Sequence, residues 1–185
     1  MAVLLPEGLR TRLDGEIGRL RGVAGDVAWV PAANLHVTLK FLGQLDEARV
    51  AAIADALGSA ASRADPFDVD FRGLGAFPTT SRPRVVWAGL EGGRALGALA
   101  GAVDAALAAL GLPREPRPFA AHVTLGRVRA PRRNPALAEA LARPADFGRL
   151  AVTRVSLMRS DLRPGGARYT ELAGVLLARG PSSVE

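Results

Sequence analysis

Residues 34–43 read Asn-Leu-His-Val-Thr-Leu-Lys-Phe-Leu-Gly, and residues 122–127 read His-Val-Thr-Leu-Gly-Arg. The second segment therefore begins by repeating residues 36–39, and His36 and His122 are the only histidines of the chain. Both segments are rich in β-branched and large apolar residues, which favour strands. We predict two equivalent strands, each carrying one histidine near its start.

The elements around the two segments recur in a similar order, which indicates an internal duplication. In each half a helix precedes the histidine strand, and a second helix and further strands follow it. We predict helices over residues 6–21, from residue 46 past residue 57, and over residues 94–110 and 135–142. We predict strands over residues 27–30, 35–42, 67–71, 84–90, 122–128, 150–158 and 168–177.

This order predicts an α+β fold in a single domain over residues 1–185. The duplication predicts two lobes related by a pseudo-twofold axis. Each lobe would hold an antiparallel sheet, the two sheets would form a central groove, and the helices would lie on the outside. The alternative is an ordinary mixed sheet without internal symmetry, because periodicity does not determine topology.

The histidines and the threonines two residues after them are the candidate catalytic groups. Side chains alternate along a strand, so His36 shares a face with Thr38, and His122 shares a face with Thr124. A twofold axis would bring these four side chains together across a groove that suits a phosphate. One imidazole can accept a proton from water while the other delivers one to a leaving oxygen, and the hydroxyls can donate to phosphate oxygens.

Each of these residues also has a simpler interpretation. A single His-Val-Thr-Leu segment is more often a half-buried strand with a routine hydrogen bond, but two copies in matching places favour a shared site. Two histidines without nearby carboxylates are too few for a zinc site, so we predict no metal. The chain has no cysteine, which excludes disulfides, thiolate metal sites and a cysteine nucleophile.

The paired segments resemble the His-x-Thr-x elements of the 2H phosphoesterase family, in particular its RNA 2′,3′-cyclic phosphodiesterase branch, also described as 2′-5′ RNA ligase-like. The resemblance extends from Pro6-Glu7 through both segments to the stretch from Ser160 to Tyr169. It implies a bilobal fold, no cofactor, and hydrolysis of a cyclic phosphodiester to a 2′-phosphate. By position, His36 would be the acid and His122 the base. The reverse reaction would join RNA through 2′-5′ linkages.

The resemblance also implies that Phe41 and Arg127, five residues after each histidine, contact a nucleobase or a phosphate. Simple alternation would turn both side chains away from the histidines. They reach the groove only if the chain bulges near Lys40 and near Gly126. The alternative is a core phenylalanine and a solvated arginine. Tyr169, the only tyrosine, either lines the groove or packs elsewhere.

Composition places further limits on the partner and the location. The formal net charge is +6, and all but one of the 24 basic residues are arginine. Because a biased composition would also produce this charge, it supports an RNA partner without establishing one. No segment reaches membrane-spanning length, so we expect a cytoplasmic protein that does not bind membranes. We also expect a monomer. The resemblance implies a longer first strand before Ala2, so we expect the natural start to lie upstream of Met1.

Two rival functions remain open at this point. The same chemistry could act on a small cyclic nucleotide or a sugar cyclic phosphate rather than on a polymer. A second rival is a non-catalytic RNA-binding module that keeps the pocket without turnover. The paired acid and base groups argue against a pure binder, which needs neither.

Overall fold

The computed structural model describes residues 1–163 and 166–178, and within them the chain forms four α-helices and nine β-strands. Residues 164, 165 and 179–185, which fall within the predicted domain, lie outside the described part. The helices are α1 (Glu7–Arg21), α2 (Val50–Ala61), α3 (Gly93–Ala108) and α4 (Pro135–Leu141). The strands are β1 (Ala2–Leu4), β2 (Val27–Trp29), β3 (His36–Thr38), β4 (Phe67–Phe77), β5 (Val85–Glu91), β6 (His122–Val128), β7 (Asp146–Val152), β8 (Arg154–Arg163) and β9 (Gly166–Leu176).

The strands form one continuous antiparallel sheet in the order β7-β4-β5-β6-β3-β1-β8-β9, with β2 added beside β6. The predicted α+β class is confirmed, but the prediction of two separate sheets is wrong. The two histidine strands, β3 and β6, pair directly and join the two halves of the sheet, β7-β4-β5-β6 and β3-β1-β8-β9. Direct pairing satisfies backbone groups that two facing sheet edges would leave without partners.

The helices pack against the sheet or against one another and share its hydrophobic core. In α1 the apolar residues Leu9, Leu13, Ile17 and Leu20 recur at helical spacing, and all four are buried. This helix packs against β7, α4 packs against β4, and α2 packs against β8, β9 and α3. The opposite face of the sheet near β3 and β6 remains accessible. No helix in the described residues has the length and apolarity needed to cross a bilayer.

Two predicted strands are shortened or divided in the structure. The strand predicted over residues 35–42 is paired as a strand only over His36–Thr38. The strand predicted over residues 150–158 is two strands, which separate at Thr153 and pair with β4 on one side and with β9 on the other. Thr153 and Arg154 are both exposed between buried Val152 and Val155, so the alternation of burial breaks at this point. A change of strand partner accounts for that break.

The only lysine of the chain is a buried cation beneath the sheet. The Lys40 ammonium donates to Asp104 Oδ1 and to the Pro113 carbonyl oxygen at 2.7 Å, and its side chain is only 5% exposed. Asp104 lies on α3 and also accepts from the Glu115 amide at 3.0 Å. The hydrogen bond from Lys40 holds the pKa of Asp104 below its usual value. This ion pair ties the end of the first histidine segment to α3.

We predict that Lys40→Met lowers the free energy of unfolding by about 3 kcal/mol, because the partly buried Asp104 carboxylate loses its main partner. Urea unfolding at neutral pH measures this loss. Because the folded-state pKa of Asp104 is lowered, the contribution of the pair is present at neutral pH and disappears as the pH falls through that pKa.

Arg143→Met is the matched control, since Arg143, just after α4, forms an exposed pair with Glu139 of α4 at 3.8 Å. Exposed pairs contribute roughly 0–1 kcal/mol. Equal losses in the two variants would show that the Lys40 pair has no special role in stability.

Candidate active site

The register of β3 and β6 brings the two repeated segments side by side. Val37 lies opposite Val123 in an antiparallel pair, and both valines are fully buried. The same register sets His36 beside Thr124 and Thr38 beside His122. Two identical segments that pair in this way are related by a local twofold axis between the valines. The four polar side chains therefore lie together on the face of the sheet opposite the core.

The two histidines stand diagonally across the paired strands. Diagonal neighbours in an antiparallel pair are separated by about 7–8 Å at their Cα atoms. That spacing leaves room for one tetrahedral group between the two imidazoles. All four polar residues are half-buried, and neither threonine hydroxyl has a hydrogen-bond partner within the described residues. The hydroxyls are therefore available to a bound anion.

Each imidazole is held by the backbone carbonyl two residues before it. His36 Nδ1 lies 2.8 Å from the Asn34 oxygen, and His122 Nδ1 lies 2.7 Å from the Ala120 oxygen. A carbonyl oxygen only accepts, so Nδ1 carries a proton in both rings. In the neutral form Nε2 is then the free nitrogen of each histidine. Both rings thus present the same atom for proton transfer.

An aromatic ring packs edge-on against each histidine. The Tyr169 ring lies 4.9 Å from the His36 ring, and the Phe77 ring lies 5.1 Å from the His122 ring, measured between centroids. The Asn34 side chain donates to the Ala167 carbonyl oxygen at 2.7 Å, which fixes the start of β9 next to the loop that holds His36. Tyr169 therefore lies beside the site and does not pack elsewhere.

The burial of the His36 imidazole affects its titration. Burial lowers the pKa of His36 below its usual value, and the hydrogen bond to the Asn34 carbonyl offsets this only in part. Desolvation disfavours the charged form of an imidazole, which explains the direction. Without a bound anion, His36 is therefore neutral over more of the acidic range than a free histidine.

Both of the expected bulges are present. Val86 and Trp87 are adjacent on β5, but their partners on β6, Gly126 and Thr124, are two residues apart. Leu125 is therefore the extra residue of a bulge. After β3 the amides of Leu39 and Lys40 both donate to the Met1 carbonyl oxygen, at 2.9 and 3.4 Å. A carbonyl shared by two successive amides is typical of a bulge.

The bulges place Phe41 and Arg127 at equivalent positions. Counted from each histidine as the first residue, the fourth and fifth residues are both buried and the sixth is exposed. Phe41 is 71% exposed and lines the cleft beside His36. On β5, Val85 is the partner of Arg127 and Trp87 is the partner of Thr124. Val85 and Trp87 are two residues apart and share a face, so Arg127 shares the face of Thr124. The alternative of a core phenylalanine is thus contradicted.

A cleft of about 710 Å³ opens on the His36 side of the site. His36, Thr38, Phe41 and Tyr169 line its outer part, and it continues past Met1 towards α2. His122, Thr124 and Arg127 do not line this cleft, since they lie on the β6 side of the same face. The cleft therefore belongs to the His36 side of the histidine pair.

Phe77 and the residues that support it were not predicted from the sequence. The strand predicted over residues 67–71 continues as β4 to Phe77, across a register shift at residues 71–74. The glycines at positions 73 and 75 hide this continuation, because glycine weakens a strand pattern. Gly75 is required by packing, since a Cβ there would lie 2.2 Å from Trp87 Cζ2. Trp87 in turn packs against Phe77, with ring centroids 5.4 Å apart.

Comparison with known proteins agrees with this geometry. Residues 9–164 match the 2′-5′ RNA ligase superfamily. The chain belongs to this superfamily. It is 34% identical to the RNA 2′,3′-cyclic phosphodiesterase of Methanothermobacter thermautotrophicus, over 93% of this chain and 94% of the relative. It is 37% identical to the enzyme of the same name from Archaeoglobus fulgidus, over 93% of this chain and 96% of the relative.

The fold is also similar to that of a solved relative. The crystal structure of E. coli LigT complexed with 3′-AMP superposes with a TM-score of 0.79 at 28% identity, and the match covers 96% of each chain. Among the described residues of this superfamily member, no group of three or more His, Cys, Asp or Glu side chains could hold a metal ion. The metal independence of the reaction stays a prediction.

We predict that His36 titrates below 6.5 in the free protein and that Tyr169→Ala raises its pKa towards that value, because removal of the ring hydrates the imidazole. NMR titration of the ring resonances measures both values. The unfolded chain binds more protons than the folded one between the lowered pKa and 6.5, so stability should rise with pH across that window.

Phe77→Ala is the control, because Phe77 contacts the other histidine and its removal should leave the His36 titration in place. A His36 pKa at or above 6.5 in the unmodified protein would contradict the prediction.

Proposed function

We propose that this protein hydrolyses the 2′,3′-cyclic phosphate ends of RNA to 2′-phosphates by acid and base catalysis from its two histidines, without a metal. The observation that carries the proposal is the pairing of Val37 with Val123, which sets two Nδ1-anchored imidazoles and two free threonine hydroxyls on one face. Curated relatives named RNA 2′,3′-cyclic phosphodiesterase support the substrate class.

The reaction is a displacement at phosphorus. His122 Nε2 accepts a proton from water as the water oxygen forms a bond to phosphorus. The bond from phosphorus to O3′ breaks, and protonated His36 delivers the Nε2 proton to that oxygen. The products are a 2′-phosphate and a 3′-hydroxyl. When a ribose hydroxyl attacks in place of water, the same displacement forms a 2′-5′ linkage.

The neighbouring polar groups fit this displacement. Negative charge accumulates on the non-bridging oxygens, and the Thr38 and Thr124 hydroxyls can donate to them from opposite sides. Arg127 can add a planar pair of donors to the same anion. The exposed ring of Phe41 can stack on the terminal base beside the His36 cleft.

The decisive test is incubation of the protein with an oligonucleotide that ends in a 2′,3′-cyclic phosphate, followed by identification of the product. A 2′-phosphate supports the proposal, and a 3′-phosphate overturns the direction of the displacement. Binding without turnover would favour the RNA-binding module. Turnover of a sugar cyclic phosphate or a cyclic nucleotide alone would favour the small-substrate rival.

We predict that His36→Ala and His122→Ala each lower kcat by about 10²–10⁴, because each removes one proton-transfer group. Steady-state kinetics in the presence of a strong chelator measure this loss, and the unmodified protein should stay active there. Activity should also fall on both sides of a pH optimum. Thr170→Val, an exposed change on β9, is a control for surface substitution. Full activity after loss of either imidazole would refute the mechanism.

The assignment of acid and base needs a separate substrate. In a 3′-deoxynucleoside 2′-(4-nitrophenyl phosphate) no vicinal hydroxyl can attack phosphorus, and the leaving group departs without a proton, so it needs no acid. We predict that His36→Ala recovers most of its activity on this diester, whereas His122→Ala does not. Release of nitrophenolate measures both rates. Recovery by the His122 variant instead would exchange the two roles.

A further inference from the structure

Two arginines follow Thr124 on the same face, Arg127 on β6 and Arg129 directly after its last residue. Arg127 lies opposite Val85, and the Arg129 amide donates to the Asp26 carbonyl oxygen at 3.0 Å, which continues the pairing of β6 beyond Val128. Alternation along β6 gives Arg127 and Arg129 the same face, about 6.6 Å apart. Both side chains are exposed, with half-buried Val128 between them. They extend the line of His122 and Thr124 away from the histidine pair.

Neither guanidinium has an ion pair or a hydrogen bond within the described residues. The nearest carboxylate in the register is that of Asp26, and Arg132 engages it at 3.6 Å. Elsewhere on the sheet, arginines face carboxylates. Arg149 faces Asp68 and Asp70, Arg72 faces Glu91 and Asp146, Arg154 faces Glu171, and Arg159 faces Glu47. The end of β6 is therefore an uncompensated positive strip that begins at the site.

The surroundings of the other histidine differ. Phe41, Tyr169 and Leu162 line the cleft beside His36. Asp46 and Glu47 also line it, and the charge of Arg159, the arginine in its lining, is paired with Glu47. Phosphates avoid such a surface, whereas a nucleoside can stack there. The face thus has an aromatic side at His36 and a basic side at the end of β6, with the candidate reaction centre between them.

We infer that Arg129 binds the backbone phosphate on the 5′ side of the terminal nucleotide, so that the RNA strand leaves the site along the end of β6. This inference rests on the proposed function and makes it more specific. Arg127 serves the reacting phosphate, which every substrate carries. Arg129 serves a phosphate that only a polymer carries. The protein is therefore selective for oligonucleotides over cyclic mononucleotides.

The test compares kcat/KM for a short oligonucleotide ending in a 2′,3′-cyclic phosphate with kcat/KM for the cyclic mononucleotide of the same base, at low salt. The unmodified protein should prefer the oligonucleotide by about three- to tenfold. Arg129→Gln should remove most of that preference and reduce the salt dependence for the oligonucleotide by about one in log–log slope. The matched control is Arg133→Gln, which removes the same charge from an exposed residue beyond the strand.

Each outcome bears on the inference. A preference that falls in Arg129→Gln but not in Arg133→Gln supports it. Equal turnover of the two substrates by the unmodified protein, or equal falls in both variants, overturns it while the proposed function stands. An absence of turnover with both substrates overturns the proposed function and this inference together.

Discussion

The pairing of β3 with β6 is the constraint on which the rest of the molecule depends. One contact, Val37 opposite Val123, joins the two halves of the sheet, buries both valines and determines which side chains face outward. The side-chain period of a strand is two, so a slip of one residue in this register would turn a histidine towards the core and a valine towards solvent. Core packing therefore specifies the arrangement of the polar groups, because the valines and histidines occupy opposite faces of the same short segments.

The bulge after each segment extends this constraint to the next residues, and the two halves stabilise it differently. Both bulges bury two residues in succession, Leu39 with Lys40 and Leu125 with Gly126. On one side the long Lys40 side chain crosses the core to Asp104 on α3. On the other side a Cβ at Gly126 would lie 2.5 Å from Val27 Cγ1, so only glycine leaves room for β2. The same backbone is thus supported by an ion pair in one half and by close strand packing in the other.

The sequence predicts those parts of this structure that depend on local pattern. The span of β6 and the span of α1 to within one residue follow from alternation and helical spacing. The single sheet does not, because strand pairing is a long-range property that periodicity leaves open. The buried ion pair of Lys40 does not follow from the sequence either, since lysine is rarely buried and its partner lies 64 residues away. Phe77 was missed because glycines interrupt its strand, whereas the bulges were expected only because Phe41 and Arg127 had to reach the groove.

The two histidines have nearly symmetric positions but different surroundings. Identical segments with identical Nδ1 anchors would give two equivalent imidazoles, yet acid and base catalysis needs one neutral and one charged ring. Burial breaks the equivalence, since it lowers the pKa of His36. A phosphate bound beside His36 favours the charged form of that ring, and a buried imidazolium is the stronger acid once it forms. His36 would then release its proton more readily to a leaving oxygen, which agrees with the acid role assigned by position. The repeat supplies the geometry, and the burial of His36 agrees with the acid role that we propose for it.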